Sequence, residues 1–167
     1  MTDAGAGGQV IAFTPTGSVK WIHNTAGAIP DGGVVIAEDG TLYSNGGMAQ
    51  SEGLIALNGD GSLKWTFATK GAVQTSPVID NRGYIHIIDA GANYYVVKPD
   101  GTLLAESELG QSCTSAPVMD SNGRLYVTVQ KDGAPIVVCV TSKATSFNIA
   151  SPWAMRGQNP SRTGLQK

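Results

Sequence analysis

Charge is scarce in this sequence and nowhere concentrated. Lys and Arg number 11 and Asp and Glu 13 among 167 residues, a net charge of −2. The basic residues stand singly, so no patch is available to neutralise a phosphate backbone, and nucleic-acid binding is not expected. Long apolar runs are absent too. Nothing approaches the ~18 residues of a membrane-spanning helix. The opening MTDAGAGGQV lacks the basic and apolar regions of a signal peptide, so any export signal of a parent protein is expected outside this chain. Cysteine is limited to Cys113 and Cys139, which form neither a CxxC motif nor a dense framework. Each occupies a position that is apolar in another copy of the repeat described below, so both read as small buried apolar residues. A disulfide between them would require Cα atoms within about 7 Å. Helical periodicity is also missing.

Glycine is abundant, with 22 residues, and the sequence repeats itself. GSVKW (Gly17 to Trp21) recurs as GSLKW (Gly61 to Trp65) and again as GTLLA (Gly101 to Ala105). TSPVIDNRGYIHI (Thr75 to Ile87) matches SAPVMDSNGRLYV (Ser115 to Val127), with Pro77 and Pro117 in register 40 residues apart. A more degenerate copy, DGGVVIAEDGTLYS, runs from Asp31 to Ser44. Short apolar runs broken by Asp-Gly turns read as successive hairpins, and four strands in about 40 residues is the period of a β-propeller blade. The expected layout is a propeller region over 1–150, with a leading hairpin at 9–24 and blades at 32–68, 75–107 and 115–149. An irregular C-terminal docking tail follows over 151–167. The fold class is therefore all-β: a partial propeller of about three four-stranded antiparallel blades, too short to close a ring of four to eight. Exposed blade faces and strand edges then predict self-association, or packing against missing blades of a parent protein.

The conjunction of Ala56-Leu57-Asn58, Gly61, Lys64-Trp65 and Ser76-Pro77-Val78 resembles the PQQ-like propeller repeats of the quinoprotein alcohol dehydrogenase-like superfamily, over about residues 9–150. The tail belongs to the same resemblance. Trp153, Asn159, Thr163 and Gly164 fit a Trp-x5-Asn-x3-Thr-Gly pattern that flanks such propellers in surface and secreted bacterial proteins. The resemblance implies that Trp153 anchors the tail on the last blade, with Arg156, Asn159 and Arg162 as further anchors. It also implies a periplasmic or cell-surface setting and a scaffolding or protein-binding role.

The superfamily's enzymes hold a quinone and calcium using an aspartate base and often an adjacent cysteine pair. None of these residues is matched here, so no enzyme activity, cofactor, metal or catalytic residue is expected. The Asp-Gly clusters fall where hairpin turns are needed and lack the alternating oxygen ligands of a calcium loop. His86 holds the repeat position of Tyr43 and Tyr126, a packing position, although a general-base reading beside Asp89 and Ser76 can be drawn. Trp21, Trp65, Ala105 and Phe147 share one repeat position, where a large ring wedges blades together. Two alternatives stand beside the scaffold reading. One is a fragment of a quinoprotein dehydrogenase with its active site elsewhere. The other is a glycan-binding surface propeller using Asn93, Tyr94, Tyr95 and Gln130, which fall near predicted turns or strand ends.

Overall fold

The computed structural model describes residues 7–29, 33–46, 48–141, 146–148, 150–152 and 154–155. Its strands are antiparallel throughout. β1 (Gln9–Phe13) and β2 (Val19–Asn24) form a leading hairpin. β3 (Val35–Ile36), β4 (Leu42–Asn45), β5 (Leu54–Leu57) and β6 (Leu63–Phe67) form blade one, hydrogen-bonded in that order. β7 (Val78–Ile79), β8 (Ile85–Ile88), β9 (Asn93–Val97) and β10 (Leu103–Glu108) form blade two in the same way. β11 (Val118–Met119), β12 (Arg124–Lys131) and β13 (Ala134–Thr141) form a third sheet. This is a partial β-propeller.

Local chemistry explains the regularity. The β5–β6 and β9–β10 turns each place a glycine at positive φ, Gly61 at +85° and Gly101 at +86°. In both, the preceding aspartate accepts the backbone N–H two residues on, from Ser62 and from Thr102. The Asp-Gly clusters are thus hairpin turns closed by their own carboxylates. Pro77 and Pro117 are buried just before the inner strands β7 and β11.

Side chains alternate between the two faces of each blade, so every blade contributes to two seams. Val10 and Trp21 of the hairpin meet Ile55 and Leu57 of blade one. Leu54 and Ala56 from the opposite face of β5 meet Ile85, Ile87, Tyr95 and Val97 of blade two. The other face of blade two supplies Ile88, Tyr94 and Val96, which meet Leu125, Val127 and Val129 of the third sheet.

The third sheet departs from expectation by having three strands among the described residues rather than four. β12 and β13 are instead lengthened to eight residues each around a turn at Asp132 (φ +51°) and Gly133 (φ +79°). Phe147, expected in the outer-strand tryptophan series, bridges Asp80 beside the inner strand of blade two and packs on the core there. The chain around it straps the free edge of β7. Asn148 donates its backbone N–H to the Ile79 carbonyl, and the Ile79 N–H donates to Ala154. Ser151 Oγ donates to the carbonyl of Ile36 on the inner strand of blade one, and Met155 is buried in the core between blade two and the third sheet. The expected tail anchors Trp153, Arg156, Asn159 and Arg162 lie outside the described residues.

Candidate functional site

The seam between blade two and the third sheet carries a buried polar cluster centred on a histidine. Asp80 follows β7, His86 sits in β8 and Tyr94 in β9, and hairpin register brings them together. The His86 ring is fully buried, with Nδ1 2.6 Å from the Tyr94 hydroxyl and Nε2 3.2 Å from Asp80 Oδ2. Since a carboxylate only accepts, Nε2 donates its N–H to Asp80. Arg82 completes the cluster: its Nη2 lies 2.8 Å from Asp80 Oδ2, and its guanidinium lies over the Tyr84 ring at 4.7 Å. Burial disfavours the Asp80 charge, but the donors from His86 and Arg82 outweigh it and hold its pKa below the usual carboxylate range. Burial, reinforced by the Asp80 charge, pushes the Tyr94 phenol upward, so it stays protonated at neutral pH.

A groove of about 430 Å³ opens over this cluster. Blade two provides Arg82, His86, Tyr94, Val96 and Ala105, and β13 closes the far side with Val140 and Thr141. The groove is therefore amphipathic, apolar along Val96 and Val140 and polar at His86 and Tyr94.

The residues considered for a ligand face are dispersed by the strand period. Tyr94 and Tyr95 are both buried but face opposite seams, toward the third sheet and toward blade one. Tyr95 donates to Asp89 and accepts from the Lys70 N–H, and burial raises its pKa to about 12. Asn93 is held by the same Asp89 carboxylate. Gln130 is exposed on the third sheet, where its backbone bridges Ser112. These four do not converge on one exposed face.

The imagined partners of His86 are replaced as well. Asp89 accepts from Gly71, Asn93 and Tyr95, and Asp80 takes the place beside the imidazole. Asp80 stands at the β7–β8 hairpin turn, so in sequence it is indistinguishable from a turn residue. The available signal was a histidine substituted at a ring position six residues after that aspartate, a separation that one hairpin brings into contact.

The cysteines are both free thiols, and one reading needs correction. Cys113 is buried, which pushes its thiol pKa up, but Cys139 is exposed beside Tyr126 on the outer face of the third sheet. The exposure follows from the strand period: Val138 and Val140 point into the seam, so Cys139 points out. Among the described residues no three His, Cys, Asp or Glu side chains gather as a metal-ligand set.

The successive twisted blades define a PQQ-like β-propeller. The family model described as outer membrane protein assembly factor BamB matches residues 6–108, and the chain belongs to that family. Among solved structures, BamB from Moraxella catarrhalis is similar in fold, with 18% identity and a TM-score of 0.54 over 84% of this chain. The match covers 51% of that protein, so the chain spans about half its length. No curated protein matches the sequence.

Proposed function

We propose that this chain is a non-catalytic protein-binding and scaffolding propeller module of an extracytoplasmic bacterial protein. The observation that carries this reading is the exposed apolar face of the leading hairpin. On the leading hairpin Ile11, Phe13, Val19 and Ile22 are all exposed, Phe13 by 60%, and the direct pairing of Ile11 with Ile22 and of Phe13 with Val19 places them together. At the other end the outer face of the third sheet is mixed: Val137 is 71% exposed and pairs with exposed Thr128, between Arg124 and Gln130. Within the chain, equivalent faces are buried in seams, so the apolar hairpin face favours a further blade as cover. Support also comes from the family's description as an outer membrane protein assembly factor, which accords with protein binding in the periplasm.

A second copy is the cover expected in isolation. Light scattering on a sizing column should give a mass that rises with concentration toward a dimer, and Phe13→Glu should return it to the monomer. A monomeric mass across the whole series would sink the self-association reading.

A further inference from the structure

The strands β2, β6 and β10 hold the same place in the repeat, and each pairs with its neighbour through the same irregularity. Phe13 faces Val19, Leu57 faces Leu63 and Val97 faces Leu103; the register then shifts, and the next outer-strand partners are Trp21, Trp65 and Ala105. Two of these positions carry an indole that fills its seam. Trp21 lies against the backbone at Gly61, where an added Cβ would come within 2.5 Å of the ring, and donates its ring N–H to the Gly59 carbonyl at 3.1 Å. Trp65 repeats this one blade on: it lies against Gly101 and donates to the Pro99 carbonyl at 2.9 Å. The third position carries the single methyl of Ala105.

Among the described residues the surroundings recover little of the missing volume. The cross-strand partner is Val96 where the filled seams have Ala12 and Ala56, so an isopropyl group returns only a small part of an indole. The ring below changes from Tyr43, which packs on Trp65 at 5.6 Å between centroids, to the smaller His86. The groove of about 430 Å³ lined by Ala105, Val96, His86 and Val140 lies at this position.

We infer that this open slot binds an aromatic side chain, of the indole type, presented by a partner polypeptide. The chain's own tryptophans define the ring. Arg82 at the groove adds a guanidinium suited to an aromatic face. The polypeptide source follows from the neighbouring strand. β10 lies at the end of the blade-two order and all six of its residues are exposed, so an extended segment can pair along it while its ring enters beside Ala105. The inference rests on the protein-binding reading but uses a different surface from the two end faces.

The test is an amide-shift titration of the isotopically labelled chain. The probes are N-acetyl-L-tryptophanamide and a six-residue peptide with one central tryptophan among threonines. Saturable shifts are expected at His86, Ala105, Ser107 and Val140, with the peptide binding about tenfold tighter through one or two added backbone hydrogen bonds. The double variant Val96→Ala/Ala105→Trp recreates the filled seam. It should lose the shifts with both probes and keep the wild-type mass in light scattering, which separates this site from self-association. Should that variant fail to fold, Ser107→Trp at the groove rim provides the block. Absent shifts at millimolar probe, or shifts that persist in the blocked variant, would overturn the site. Equal affinity for the two probes would overturn the polypeptide source.

Discussion

Two seams flank blade two, and they are built differently from the same register. Toward blade one rings close the seam: Trp65 lies on Tyr43, Phe67 meets Tyr95 edge-on, Leu54, Ile85 and Ile87 fill the space between, and the Tyr95 hydroxyl is tied to Asp89. Toward the third sheet an alanine replaces the tryptophan, a histidine replaces the tyrosine, and an Asp80–His86–Tyr94 network lies beneath an open groove. Repeat geometry determines where a ring would sit without requiring that one be present. A seam can therefore give up packing for polar organisation, provided every buried polar atom finds a partner.

The largest effect should come from breaking the polar seam. Asp80→Ala leaves the His86 N–H and the Arg82 guanidinium without their carboxylate, and should lower the unfolding free energy by about 3 kcal/mol. A loss below about 1 kcal/mol in urea would show that the network contributes little. The ring-closed seam should yield next. Trp65→Ala removes a half-buried ring and its hydrogen bond to Pro99. The expected cost is about 2 kcal/mol, less than for a fully buried tryptophan. An equal loss from Trp21→Ala would mean that the end hairpin is held as firmly as the inner blades.

Acid should separate the two seams most finely. The folded pKa of Asp80 lies below its unfolded value, so its contribution is complete above about pH 4. It fades as pH falls through the lower folded value. Urea midpoints measured from pH 6 to pH 2.5 should therefore drop less steeply at low pH in Asp80→Asn than in the wild type. The expected difference is about 1 kcal/mol or less, and parallel curves would remove Asp80 from the acid response.

The strand layout was legible in the sequence because two signals coincided at each hairpin. Asp60-Gly61 and Asp100-Gly101 specify turns, and the apolar runs on either side specify paired strands. The resemblance carried by Trp65 and Ser76-Pro77-Val78 agrees with the family found. The polar site was not legible in the same way. Asp80, His86 and Tyr94 belong to three strands or strand ends, and their meeting depends on cross-strand register, set by which residue faces which seam. The same reason explains Tyr94 and Tyr95: adjacent letters in the sequence, they enter different cores. Phe147 defeated the repeat alignment because its partner is Asp80, 67 positions earlier, and no local pattern encodes that pairing.

The strap along β7 changes what kind of object this propeller is when it unfolds. Stacked blades that touch only their neighbours form a one-dimensional array, which melts from its ends inward. Asn148 and Ala154 bond to Ile79, and Ser151 bonds to Ile36, a separation of 115 residues. Losing the third sheet then also withdraws hydrogen bonds from the inner edges of blades one and two. Local fraying is turned into a shared event, at the cost of long-range contacts that slow folding because they form only after distant parts of the chain have met.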